Sequence, residues 1–190
     1  MIHGKNITLR TFKESDLERY SEIINDLSII SPYWPAFLQS EPKLRKEFAE
    51  GGFWKEDHKV LLVTDKEGNF IGEVTSFKTS PNIQGPEVAY RIFREEHRRK
   101  GYATEAMKLF SAYLFRTETN ILRITAMIRP DNAASLRLAE KCGFKKEGTL
   151  RSAEMHSGVP INYELFSLLR DECPELESLL QKPETSSRSD

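Results

Sequence analysis

Residues 86–110 read PEVAYRIFREEHRRKGYATEAMKLF, and the order of the parts in this stretch decides the fold. Pro86 to Phe93, rich in Val, Tyr, Ile and Phe, has the character of a strand and follows turn signals at Ser80 to Gly85. From Tyr102 onward, Ala103, Ala106, Met107, Phe110 and Leu114 recur at helical spacing, which predicts a helix through Arg116. Between strand and helix lie Arg98, Arg99, Lys100, Gly101, Tyr102 and Ala103, a basic turn containing glycine. The first N–H groups of a helix have no intrahelical acceptor and carry the positive end of its dipole, so they suit a phosphate. Small residues at 101 and 103 let the phosphate oxygens approach the backbone. The turn is therefore a candidate diphosphate cradle; the alternative is three solvated charges ahead of an ordinary helix.

On the N-terminal side, Ile7 and Leu9 alternate in a strand from Asn6 to Arg10. A helix follows, capped by Glu14 or Ser15 and carrying Leu17, Tyr20, Ile23 and Ile24. Ser31 to Phe37 holds Pro32, Tyr33, Trp34 and Pro35 and reads as an aromatic loop, after which Pro42 opens a helix to about Glu50. Lys59 to Thr64 and Asn69 to Lys78 form a hairpin about Lys66 to Gly68. On the C-terminal side, Leu122 to Ile128 is a buried strand, and Asn132 to Cys142 an amphipathic helix ended by Gly143. Phe144 to Met155 and Ile161 to Leu169 close a hairpin across Ser157 to Pro160, and residues 182–190 read as a disordered polar tail. This order predicts an α/β fold: one domain over residues 1–181, with a mixed, largely antiparallel sheet of six or seven strands and helices on both faces.

With 190 residues, 38% of them hydrophobic and 30% charged, the chain has the composition of a soluble globular protein. A net charge of −1, with acidic and basic residues interleaved, gives no broad positive face for nucleic acid. No apolar run approaches the roughly 20 residues of a membrane span, and Met1 to Arg10 lacks the apolar stretch of a secretory signal, so a cytoplasmic protein is expected. Cys142 and Cys173 are too few for a disulfide framework, and His3, His58, His97 and His156 show no metal-ligand spacing, so no metal is expected. Cys142 reads as a small buried apolar residue, since no histidine is placed to activate it.

The phosphate-loop residues Arg98, Gly101 and Ala103 match a pattern of Gln or Arg, two variable residues, Gly, one variable residue, then Gly or Ala. With Asn132, Ser135, Glu140, Lys141, Gly143, Phe144 and Gly148 further on, the sequence resembles the GNAT superfamily of N-acetyltransferases. The resemblance covers nearly the whole chain to about Arg170. It lies nearest the ribosomal-protein N-terminal acetyltransferase branch, through Ile7 to Arg10, Arg98 to Ala106, and Gly158 with Leu165 to Glu172. It implies acetyl-CoA as co-substrate, held at its diphosphate by Arg98, Arg99, Lys100, Gly101, Tyr102 and Ala103. It further implies a pantetheine arm along the splayed edge of the Pro86 to Phe93 strand, with Asn132 holding that arm or simply capping its helix.

Acetyl transfer needs an uncharged amine, a donor for the oxyanion and a proton for the departing thiolate. Glu87 stands where some family members carry a general base, the alternative being an ordinary polar residue at a strand start; burial would raise its pKa. Backbone N–H groups at Ile92 and Phe93 are the expected oxyanion donors. Many family members place a tyrosine where this chain has Ala139, so Ser135, about one turn earlier, is the candidate proton donor. Its hydroxyl has a structural alternative in a helix or pantetheine hydrogen bond. Tyr33, Trp34, Phe37, Phe53, Trp54 and the His156 to Asn162 turn belong to the elements that build acceptor pockets in the family. Core packing is the better reading for most of these aromatics, and loop-borne Trp34 is the exception. Asn162 stands where the ribosomal-protein branch commonly has an aspartate. The expected reaction is direct transfer, in a ternary complex, to a protein N-terminal amine or a small-molecule amine. The competing function is a non-catalytic acyl-CoA sensor or interaction module, and the assembly expected is a monomer or homodimer.

Overall fold

In the strand His58–Thr64, four successive apolar residues divide between two cores. Leu61 and Val63 join one cluster and Val60 and Leu62 the other, as the period of two along a strand requires. A strand buried on both faces needs a layer above and below it, and the computed structural model shows both. It describes residues 1–29, 31–34, 38–79, 82–156 and 158–181. The tail at 182–190, Phe37 in the aromatic loop, the Ser80 end of the turn before Gly85 and Ser157 in the closing turn lie outside the described residues.

Among the described residues, eight strands form one sheet: β1 (Ile2–His3), β2 (Thr8–Arg10), β3 (His58–Thr64), β4 (Phe70–Phe77), β5 (Glu87–Ile92), β6 (Arg123–Ile128), β7 (Lys145–His156) and β8 (Val159–Leu169). Their spatial order is β1-β2-β3-β4-β5-β6-β8-β7, and every neighbouring pair is antiparallel except β5 with β6. The count exceeds the expected six or seven through β1, two residues that pair with Thr8 and Leu9 and carry too little pattern to be read as a strand.

Helices α1 (Leu17–Asn25) and α2 (Glu41–Ala49) cover one face, burying Tyr20, Ile23, Ile24 and Leu44 against Val60, Leu62 and Phe70. Helices α3 (Tyr102–Thr117) and α4 (Ala133–Lys141), with the short α5 (Leu176–Leu179), lie over the other. Phe110 of α3 is fully buried there, and truncating such a side chain to Ala costs about 3–5 kcal/mol. The start of α1 differs in detail from the expected cap. Glu14–Asp16 form a 3-10 turn in which Asp16 accepts the Lys13 backbone N–H at 2.7 Å and a two-pronged contact from Arg10, so Asp16 makes the capping contact.

The feature that positions the site is the parallel pair β5 and β6. Only Glu87 and Thr125 are in register, and just before them the strands are clamped, with Thr125 N–H donating to the Pro86 carbonyl at 3.0 Å. Gly85 permits the clamp, since a Cβ there would lie 1.8 Å from the Arg123 carbonyl oxygen. Past Glu87 the two strands diverge without further pairing, and the opening faces α3 and α4.

Candidate active site

Two cavities occupy this opening. One, of about 710 Å³, is lined by Ile92, Arg98, Arg99, Gly101, Tyr102 and Ala103 from β5 and the start of α3, with Arg137 and Lys141 from α4. The other, of about 660 Å³, is lined by Glu87, Phe77, Met127, Leu150, Glu154 and Tyr163. Tyr33, Trp34, Tyr90, Asn132, Ser135 and Leu138 border both, so the cavities meet at the N-terminal turn of α4.

The first cavity fits a diphosphate. Gly101 caps α3 with φ 84°, a left-handed conformation that favours glycine, and nothing lies within 4 Å of where its Cβ would point. Glu105 N–H is the first to close a helical bond, onto the Gly101 carbonyl at 3.0 Å, which leaves the amides of the preceding turn to face a ligand. Arg98 and Arg99 stand beside them, Arg99 itself at φ 61°. Of the residues expected to form the cradle, Arg98, Arg99, Gly101, Tyr102 and Ala103 line this cleft and Lys100 does not.

The Phe93 N–H donates to the Ile71 carbonyl at 3.0 Å, and the Phe93 ring is buried in the core beneath α1 and α2. Successive N–H groups alternate across an extended strand, so the Ile92 amide points away from β4, toward the opening. The Ile92 amide therefore faces the opening, and the Phe93 amide does not. Asn132 does what its helix requires: its side-chain oxygen accepts the Ser135 N–H at 3.1 Å while the residue borders both cavities.

Glu87 is 6% exposed, one carboxylate oxygen has no hydrogen-bond partner, and the residue lies on the wall of the second cavity. Burial raises its pKa to about 7, opposed only in part by the Met127 backbone N–H. Across that cavity Tyr163 donates a hydrogen bond to the Glu154 carboxylate, and burial followed by that bond pushes the phenol up to about 12. Glu154 reaches the wall through an irregularity in β7: Leu150 pairs with Tyr163 but Glu154 with Ile161, so β7 carries extra residues there. Asn162 pins this bulge by accepting the Ser152 N–H at 2.9 Å, Ser152 being held at φ 49°.

The loop aromatics are fixed by cations. Arg129 lies 5.2 Å from the Tyr33 ring centre, and the Tyr33 hydroxyl donates to the Asp131 carbonyl at 3.1 Å. Arg91 lies 5.0 Å from the Trp34 ring centre and pairs at 2.9 Å with Glu73, which accepts from the Tyr20 hydroxyl at 2.8 Å. Phe53 and Trp54 line neither cavity and pack at the edges of the two cores. Glu154, Tyr163 and Tyr90 line these cavities and were not singled out from the sequence. Tyr90 has its hydroxyl 2.9 Å from the Ser135 hydroxyl, and burial raises its pKa. A tyrosine on the strand that leads into the phosphate loop was the one available signal.

Among the described residues, no group of three or more His, Cys, Asp or Glu is arranged to hold a metal, and no helix is long and apolar enough to cross a membrane. Residues 6–145 match the family described as the acetyltransferase (GNAT) domain. The probable N-acetyltransferase YjcK of Bacillus subtilis is 27% identical over 177 residues, spanning 89% of this chain and 97% of the relative. The ribosomal-protein-serine acetyltransferase of Escherichia coli is 25% identical, spanning 73% of this chain and 76% of its own. The same fold appears in the spermidine N-acetyltransferase from Vibrio cholerae in complex with CoA and spermine, with a TM-score of 0.73, 22% identity and coverage of 87% and 96%. The chain belongs to the GNAT family and is an acetyl-CoA-dependent N-acetyltransferase.

Proposed function

We propose that the chain transfers acetyl directly to a primary amine seated in the Glu87 cavity, with both substrates bound at once. The observation that carries this reading is the meeting of two cavities at Ser135, one with a diphosphate cradle and the other with a buried carboxylate near neutrality. Acetyl-CoA, when bound, supplies an activated acetyl thioester. Arg98, Arg99 and the backbone from Gly101 to Ala103 hold its diphosphate, while the free edge of β5 guides its arm past Asn132 to Ser135. The Ile92 N–H is the donor this reading assigns to the oxyanion.

Glu87 receives the amine proton. A carboxylate with a pKa of about 7 is about half ionised at neutral pH and only slightly less basic than an alpha-amine near roughly 7.8. A lysine amine, near roughly 10.4, costs about 3.5 kcal/mol more to deprotonate. This favours an N-terminal amine or a small-molecule amine. The second carboxylate, Glu154, together with apolar Phe77, Met127 and Leu150, suits an acceptor with an apolar stem and further positive charge. The names of the relatives, one acting on ribosomal protein and one on spermidine, support keeping both acceptor classes in the test.

The test is thiol release from acetyl-CoA with a panel of dipeptides, polyamines and aminoglycosides, comparing wild type with Glu87→Gln and Gly101→Glu. Amine-dependent release that is lost in Gly101→Glu supports the transferase reading, and the preferred amine names the acceptor class. Coenzyme A binding without release for any amine would replace it with the sensor reading.

A further inference from the structure

The helix position that carries a tyrosine in many relatives is Ala139 here, buried and bordering the acceptor cavity. Its methyl group has no proton to give. Another phenol stands on the same cavity wall, reaching it from the opposite side of the opening. Tyr90, near the middle of β5, borders both cavities and bonds through its hydroxyl to Ser135 Oγ at 2.9 Å. We propose that Tyr90, hydrogen-bonded to Ser135, is the acid that gives its proton to the departing thiolate. The assignment rests on the two-cavity reading above, since it places the reacting sulfur at the junction.

Three features of the site favour Tyr90 over Ser135 acting alone. Ser135 is tied to the start of α4, its N–H held by Asn132, so its hydroxyl has a fixed origin at the junction. The Tyr90 ring extends from a strand whose partner has diverged, which leaves its hydroxyl at the border of both cavities. A phenol is protonated at neutral pH and burial only raises its pKa further, so the donor is in its acidic form when the sulfur leaves. A serine hydroxyl is a far weaker acid than a phenol and serves better as a relay.

The protons balance. Glu87 first takes the ammonium proton and passes it to solvent; the neutral amine nitrogen then attacks the carbonyl carbon, and the proton it sheds in turn goes to Glu87. Collapse of the oxyanion restores the carbonyl and breaks the C–S bond, whose electron pair stays on sulfur. The Tyr90 O–H proton moves to that sulfur, giving the free thiol. Tyr90 takes a replacement through the Ser135 hydroxyl from solvent, and Glu87 returns its proton to solvent.

The experiment uses coenzyme A alone and needs no acceptor. The ionisation of the bound thiol is followed by its thiolate absorbance in wild type and Tyr90→Phe. Loss of the donor should make the bound thiol harder to ionise by roughly tenfold, about one pKa unit. In the amine-dependent assay kcat should fall about 100-fold with the KM for acetyl-CoA unchanged. An unchanged thiol titration overturns the assignment. If wild type acetylates no amine while the titration still shifts, the acceptor reading falls and Tyr90 keeps its place at the sulfur. If Glu87→Gln cripples release while Tyr90→Phe alters neither observable, the Tyr90 proposal alone is lost.

Discussion

The two cavities are alike in size, about 710 and about 660 Å³, and differ in the material that builds them. The phosphate end is largely backbone: a left-handed glycine, the first amides of α3 and the unpaired edge of β5, most of it from one run of about a dozen residues. The acceptor end is side chains contributed by separate segments: Tyr33 and Trp34 from a loop, Phe77 from β4, Glu87 from β5, Met127 from β6, and Glu154 and Tyr163 from the closing hairpin. A backbone site depends on local conformation and tolerates varied side chains. A side-chain site depends on register across the sheet, so a bulge of a few residues in β7 resets it. The halves should then fail separately: lesions at the phosphate end change cofactor affinity, and lesions at the acceptor end change amine recognition and proton transfer.

The largest effect tests the first half. Gly101→Glu adds backbone strain at φ 84° and sets a carboxylate where the phosphate belongs. Losing two charge-assisted contacts at about 2 kcal/mol each weakens coenzyme A binding by roughly 1000-fold, measurable by calorimetry. The variant should stay folded, because nothing surrounds the position that a side chain would strike. A variant that binds coenzyme A normally would break the comparison outright. The next effect tests the second half. Glu87→Gln should lower kcat/KM about 100-fold while coenzyme A affinity stays as in wild type. In wild type kcat/KM should rise with pH through about 7 as Glu87 loses its proton, and the variant should lack that limb.

The difference between the halves also explains what could be read from the sequence. The proposed cradle could be picked out because Arg98, Gly101 and Ala103 are close neighbours in the chain and the chemistry proposed for them lies in their backbone. Most elements were legible for a similar reason, since the alternation in β3 and the helical spacing in α3 are local signals. That Lys100 lies outside the cleft and that the Phe93 amide is taken by Ile71 could not be read, because a contiguous motif does not say which of its members turns outward or which amide a neighbouring strand has taken. Glu154 and Tyr163 carry no local signal, and they become a pair only when the β7 bulge sets Glu154 opposite Ile161. Glu87 was legible as a residue, yet its freedom from hydrogen bonds at one oxygen depends on the clamp at Gly85 and on the divergence beyond it.

Glu87 also makes the acceptor half a cost to the fold. Its carboxyl has a pKa of about 7 in the native state and near 4.5 when exposed. Between those values the native chain holds more protons than the unfolded chain, so stability falls as pH rises through this window and levels off above about 7. The full shift corresponds to about 3 kcal/mol. Glu87→Gln removes the penalty, so the inactive variant should be more stable than wild type at pH 8 and should lack the decline between pH 5 and 7. Urea unfolding at the two ends of this range measures both. A wild-type curve that is flat there would mean that the carboxyl is solvated, and Glu87 would lose its claim as the base.

The smallest effect sharpens the comparison most, because it acts on register alone. Asn162 touches no cavity wall, yet its side-chain oxygen holds the Ser152 amide and so fixes the bulge that brings Glu154 to the site. Asn162→Ala removes one exposed hydrogen bond, worth about 1 kcal/mol, which lowers Tm by about 2–4 °C in a chain of this size. With the bulge free to shift, the acceptor KM should rise about fivefold while the KM for acetyl-CoA is unchanged. Asn162→Asp, which keeps the accepting oxygen, should restore most of the loss. A rise in both KM values would mean that the closing hairpin and the phosphate end are one mechanical unit, and the division between a backbone-built half and a side-chain-built half would have to be given up.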